Sequence, residues 1–476
     1  MPKLVSGSIT LLVLIFGGVF LVVLSALSSY VLSQNSLQDV TRVRAEAFSV
    51  AEAGLEYYRW HLAHFPTDLK NGTGNPGPYD IPIPDPSGGT AGTAALTITA
   101  NTACSQTTSI DITSEGTAAD DPTHPITLLA RYAEPSVASY SYIVNDSVWA
   151  GPDRVINGPY HSNGGIRMDG TANAQVTSSL SSWTCDSSFG CSPSQTEPGV
   201  FGSGSNQNLW KYQTPQVDFA GIAANFANLK TIAETSGIYL ARFSSGNSRS
   251  SAYHKGYHLI FNSNGTVTVR KVSSVASQYV YPVNSADSST DYSLIKNETS
   301  DTTYTIPAGC GLIFVEDNTW IEGTIPAKVT VVVANPDTTG VVPDVFITGN
   351  ITYAKADGSD GLTLISDHDI LIAPNAPTDL TLNGIFVAQG GAFGMNLYAC
   401  PGPYEPKGTL TIHGSTISNA RTGTQWENGC WSWYGGYSNA GYLSRIDSFD
   451  RTLANDPPPF TPVLSSDYTF VDWRQE

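Results

Sequence analysis

The chain has 476 residues, 23 of them basic and 41 acidic, for a net charge of −18, a balance that repels phosphate backbones and makes a nucleic-acid partner unexpected. Charged residues are 13% of the total, against roughly a quarter in an average soluble domain, while 44 glycines and 29 prolines point to a turn-rich, β-rich chain. With 41% hydrophobic and 10% aromatic residues there is material for a large core, which excludes a collagen, a coiled coil and a wholly disordered chain.

The segment from Ile9 to Leu32 is 24 residues long and carries no charge. About 20 apolar residues cross a bilayer as a helix. A secretory signal has an apolar core of only ~7–15 residues, so a retained single-pass membrane helix is expected. Gly17, Gly18, Ser25, Ala26, Ser28 and Ser29 permit close helix–helix packing there. Lys3 lies on one side and Arg42 and Arg44 on the other, which leaves the orientation open by charge alone. Beyond the apolar run, Val40, Val43, Ala47, Val50, Ala51 and Leu55 recur at helical spacing. The helix should therefore continue without a break until Pro66 ends it. Its second half shows only a narrow apolar stripe, suited to packing against neighbouring helices.

The stretch Ala45-Glu46-Ala47-Phe48-Ser49-Val50-Ala51-Glu52-Ala53-Gly54-Leu55-Glu56 resembles the signature that closes the N-terminal helix of PilX-like minor pilins, with Ala51, Glu52, Ala53, Gly54 and Leu55 at its centre. The resemblance implies the type IV pilin plan, a long helix held in membrane or fibre and carrying an exported C-terminal domain. It also implies membrane lipid and other pilin-like subunits as partners of that helix. Gly7-Ser8 stands where such proteins have a prepilin cleavage site. The family pattern places Phe or Met after that glycine and Glu at the fifth mature position; here those places hold Ser8 and Leu12. A subunit without that glutamate suits a tip or an occasional position better than a repeating shaft. Farther along, His161-Ser162-Asn163-Gly164, Asp357 to Leu362, Ser418 to Trp426, Pro457 to Pro459 and Trp473-Arg474 resemble stretches of the exported part of large PilX-like bacterial surface proteins.

Six cysteines, Cys104, Cys185, Cys191, Cys310, Cys400 and Cys430, lie outside the membrane segment, an even number in keeping with disulfides in an exported domain. Cys185 and Cys191 bracket a short loop and form the safest pair; Cys400 with Cys430 would tie an aromatic loop, and Cys104 with Cys310 remains. No Cys-x-x-Cys occurs, and His254 and His258 fall in an alternating segment, so no metal centre and no cofactor are expected.

The expected fold is mainly β with a long N-terminal helix: a parallel β-solenoid carrying a small α+β insertion. Short β-branched runs ending in Gly-Asn, Asn-Gly or Asp-Gly turns recur from about Ser139, as in stacked coils with glycine and asparagine at the corners. Irregular strand spacing leaves a β-sandwich as the alternative. The expected organisation is a helix over 1–65, a Pro/Gly-rich connector and short β unit over 66–135 and first coils over 136–183. An insertion over 184–309, the main coils over 310–425 and an aromatic cap and tail over 426–476 follow. Within the insertion the spacing of Phe219, Ile222, Phe226, Leu229 and Ile232 predicts a helix from Val217 to Thr235.

Candidate chemistry is sparse. Asp357 and Asp360 in Asp-Gly-Ser-Asp-Gly are weak Ca²⁺ candidates, with a solvated turn as the plainer reading. Asp367 and Asp369 flank His368 and could share one strand face. His161 reads as a hydrogen-bonded corner residue. Nothing forms a recognisable nucleophile–base pair, so no enzyme is expected. Trp426, Trp431, Trp433, Tyr434, Tyr437 and Tyr442 make a dense aromatic group that either binds a surface glycan or protein or caps an open sheet end. The reading that unites these signals is a single-pass membrane protein with an extracytoplasmic domain and a structural or adhesive role in a type IV pilus-like assembly. A membrane-tethered carbohydrate-active enzyme and a pseudopilin of a secretion or DNA-uptake system are the alternatives.

Overall fold

In the computed structural model, residues 8–221, 223–245, 253–285, 287–432 and 436–476 are described. Helix α1, Ser8–His64, runs 57 residues without interruption, about 85 Å at 1.5 Å per residue. It is long and apolar enough to cross a membrane. The chain divides into two units.

The first unit comprises residues 1–100, 110–132 and 472–476. Its sheet has five strands in the order Tyr79–Pro84, Thr90–Ala103, Gln106–Ala118, Ile126–Ala133, Thr469–Gln475. Strand alternation is visible in Ile110, Ile112, Ser114 and Leu128, Ala130, Tyr132, all buried on one face. That face receives α1. The connection after α1 is closed locally: Asp68 accepts hydrogen bonds from the backbone N–H groups of Lys70 and Gly72, and its Oδ2 lies 3.1 Å from His61 Nε2.

The second unit, residues 101–109 and 133–471, combines three ladders of parallel strands with antiparallel pairs, the longest being Thr266–Val280 with Ser289–Thr305, which joins Gly256–Asn262. The first ladder runs Ile238–Leu240, Leu312–Val315, Lys328–Val333, Gly361–Ser366, then the second halves of Leu380–Ala388 and Lys407–Ser418. It continues through Tyr142–Val144, Tyr160–Ser162, Val176–Ser178 and Trp210–Lys211. The second contains Gly256–Asn262, Asn318–Ile325, Val345–Tyr353, Ile370–Ile372 and Phe393–Gly394. A separate trio, Val148–Ala150, Ile166–Met168 and Val200–Phe201, pairs in the same parallel sense. The third ladder uses the first halves of Leu380–Ala388 and Lys407–Ser418, then Gly436–Ser448, Arg154–Asn157 and Thr171–Ala172.

From Leu312–Val315 to Tyr160–Ser162 the first ladder is buried on both faces, as unbroken apolar strands such as VTVVV require. Inward residues, among them Val331, Leu364 and Phe386, form one core. The outward residues Phe314, Val332, Ile365, Ile385 and Ile417 are covered by helix α2 (Phe226–Ser236) and by Val217, Phe219, Phe460 and Leu464. Stacking does not follow chain order. Tyr142–Val144 pairs with Thr416–Ser418, and Arg154–Asn157 with Arg445–Ser448. The early strands therefore stack on the late ones, and the first ladder has Ile238–Leu240 at one end and Trp210–Lys211 at the other. Two ion pairs close this joint: buried Arg154 with Asp447 at 2.6 Å, and Arg445 with Asp153 at 2.7 and 2.9 Å.

Three expectations change. Ile238–Leu240 and Gly256–Asn262, placed by sequence inside an insertion, are members of the parallel ladders, because each finds an edge to extend. Gly436–Ser448, placed in an aromatic cap, contributes to the third ladder. Helix α2 begins at Phe226, not Val217: Asn225 caps it by accepting from Asn228 N–H, while Asp218 Oδ1 accepts from Ala220 N–H in a preceding turn. Ile222 lies outside the described residues.

Candidate functional site

Helix α1 presents two different surfaces. From Ile9 to Leu37 its large apolar side chains are exposed, Leu14 at 74% and Val22 at 69%. From Val43 onward one face is buried: Val43, Ala47, Val50, Ala51, Leu55, Tyr58 and Leu62. The narrow stripe that sequence spacing assigns to neighbouring helices is thus covered by the chain's own sheet. Val40, at its start, is half-buried.

The Ala51-Glu52-Ala53-Gly54-Leu55 motif has a steric explanation. A Cβ added at Gly54 would lie 2.6 Å from both Ala94 Cβ and Ser114 Oγ. On the sheet side, a Cβ at Gly116 would lie 2.2 Å from the Ala47 carbonyl and 2.4 Å from Ala51 N. Helix and strands therefore meet backbone to backbone, which only Ala and Gly permit. Glu52 points away and is exposed. At the rim, Arg42 pairs with Glu46 at 3.2 Å and Asp120 at 3.3 Å, and Phe48 packs edge-on against Trp473. Gly7 lies outside the described residues, and Ser8 is the first residue of α1.

All six cysteines are bonded: Cys104–Cys310, Cys185–Cys191 and Cys400–Cys430. Asp357 and Asp360 are each occupied within their turn. Asp357 Oδ1 accepts from Ser359 N–H and Oγ, which hold its carboxyl below the usual carboxylate range, and Asp360 Oδ2 accepts from Lys355 N–H. His161 is buried, hydrogen-bonded to Thr177 Oγ1 at 2.9 Å and Asn163 Oδ1 at 3.0 Å, and burial pushes its pKa down. Asn163 in turn holds Val217 at both backbone groups, accepting from its N–H at 2.9 Å and donating to its carbonyl at 2.8 Å. The His-Ser-Asn-Gly stretch is a clamp on the segment that covers the first ladder.

Asp367, His368 and Asp369 occupy a turn between Gly361–Ser366 and Ile370–Ile372, not one face of a strand. Asp344, unnoticed in the sequence, joins them: His368 Nδ1 lies 2.7 Å from Asp344 Oδ1 and 3.6 Å from Asp369 Oδ2. The ligand-type atoms of Asp344, His368 and Asp369 fall within 4.8 Å of one another, close enough to hold a metal ion. The same carboxylates and Asn318 are engaged by hydrogen bonds. Asn318 Oδ1 accepts from Asp344 N–H, Asp344 Oδ1 from Asp369 N–H, and Asp369 Oδ1 from Ala392 N–H. Each side chain caps the strand stacked on it. The signal was a recurring acceptor before an apolar run: Asn318-Thr-Trp-Ile, Asp344-Val-Phe-Ile, Asp369-Ile-Leu-Ile. The Asp344 carboxylate raises the His368 pKa to about 9, and burial pushes Asp369 up to about 6.

The aromatic group splits. Tyr442 is fully buried, and Trp426 is half-buried with its Nε1–H donating to the Met395 carbonyl. Trp431 and Tyr437, opposite each other in the hairpin of Gln425–Ser432 with Gly436–Ser448, are exposed. Trp433 and Tyr434 lie outside the described residues.

No family model matches the chain, and no curated protein matches it. Among solved structures, the competence-associated pilin ComZ from Thermus thermophilus aligns over 91% of this chain and 98% of its own, at 12% identity and a TM-score of 0.30.

Proposed function

We propose that this protein is a membrane-anchored, minor-pilin-like surface subunit with a structural or adhesive role, whose second unit is a parallel β-solenoid. The observation that carries the reading is the division of α1 into an apolar half with no cover from its own chain and a half seated on its own sheet. A segment such as Ile9–Leu32 is stable only in lipid or among other apolar helices. The seated half makes the first unit a rigid head on that anchor. Three disulfides favour an extracytoplasmic location for everything after α1. Three ladders of parallel strands whose inward residues pack into two apolar cores support the solenoid. Exposed Trp431 and Tyr437 are the side chains we assign to contact with a surface glycan or protein.

Alkaline phosphatase fused after residue 135 tests the topology. Activity is the expected outcome; an inactive fusion, with a cytoplasmic reporter active at the same point, reverses the assignment. Sheared surface fibres should contain the protein at low stoichiometry. Absence from such fibres, with piliation and adhesion unchanged on deletion, would leave only a tethered solenoid.

A further inference from the structure

Glu405 stands in the loop between Phe393–Gly394 and Lys407–Ser418, next to the Cys400–Cys430 disulfide that ties this loop to the aromatic hairpin. The residue is buried, 4% exposed. One carboxyl oxygen, Oε2, accepts from Gly441 N–H at 2.6 Å. The other, Oε1, is buried with no hydrogen-bond partner. Gly441 is the residue at which the hairpin strand changes partners. Gly441 pairs antiparallel with Gln425, and Tyr442 pairs parallel with Lys407. Glu405 therefore holds the root of the hairpin that exposes Trp431 and Tyr437.

Lys407 is the cation nearby, and its Nζ donates to the Pro374 and Ala376 carbonyls at 2.8 and 2.6 Å. Tyrosines and acids also stand near the site. Tyr442 donates to the Pro377 carbonyl, Tyr398 is bonded to Asp291, and Asp379 lies near Tyr442. A carboxylate with one dry, unpaired oxygen is costly, whereas the neutral acid is tolerated.

We propose that Glu405 is a proton-operated latch, closed as the neutral acid and loosened as the root of the aromatic hairpin is asked to bury a charge. Burial pushes its carboxyl up to about 7, against the opposing Gly441 hydrogen bond and Lys407 charge. A folded value above the unfolded one gives stabilisation that is complete below the unfolded pKa and lost as pH rises through the folded one. Opening of the root should therefore increase up to about tenfold per pH unit from pH 5 to neutrality and then level off. The disulfide keeps the loosened hairpin tethered.

Hydrogen exchange of peptides covering residues 436–448, in the full chain in detergent micelles and corrected for intrinsic rates, reads this directly. The wild-type protein should lose protection across that interval, while ladder peptides such as 328–333 show no step. Glu405→Gln should show no dependence. A wild type whose protection at 436–448 is flat between pH 5 and 8 overturns the latch whatever the variant does. So does a folded Glu405→Gln protein that keeps the wild-type slope.

Discussion

Gly54 and His368 show how single residues set the two units. At Gly54 the nearest atoms of the opposing strands stand 2.6 Å from where a Cβ would be, so any side chain must separate α1 from its sheet. Gly54→Leu should destabilise the first unit by at least about 1–3 kcal/mol, the usual cost of overpacking. Chymotrypsin nicking within residues 43–62 measures it, and wild-type resistance in the variant would show that the seat has room for a side chain at this position. His368 acts through charge. Its pKa is raised to about 9 by Asp344 and Asp369, so its contribution is complete below about 6.5, the ordinary histidine value, and lost as pH rises through about 9. Melting temperature should fall between pH 7 and 9.5 in the wild type. His368→Gln should flatten that portion of the profile, modestly, because the imidazole is 43% exposed and water screens the pair. An unaltered slope in the variant would assign the loss to another group.

At the scale of elements, the covering segment 212–237 is informative. Strands buried on both faces need a lid, and α2 with Val217 and Phe219 supplies it. Asn163 holds that lid at Val217 through two backbone hydrogen bonds, leaving little slack along the segment. Asn163→Ala strands the Val217 N–H and carbonyl and should cost about 1–3 kcal/mol. The expected signature is faster hydrogen exchange in residues 212–225 with the ladder strands unchanged. Equal exchange in variant and wild type would mean that Phe219 and α2 hold the lid unaided. The Asn318, Asp344 and Asp369 column has a comparable role on another corner, each acceptor satisfying the N–H that begins the next strand.

Across the whole molecule, that α1 is one helix and that it continues past its apolar segment were legible in the sequence, because an uncharged run and a helical spacing are local properties of consecutive residues. The same holds for the Pro66 stop and the β-rich character. The Gly54 motif was visible as a pattern, but its reason lies in Ala94 and Ser114, which only the folded sheet brings to it. Stacking order was not legible. Parallel strands find partners by burial and register across long separations, so the sequence neighbours of Tyr142–Val144 do not announce that its partner is Thr416–Ser418. For the same reason Asp344 could not be joined to His368, nor Arg154 to Asp447, before the ladders were known. Composition and periodicity decide what each segment wants to bury; which segment buries it is settled by the edges left open when the chain closes on itself.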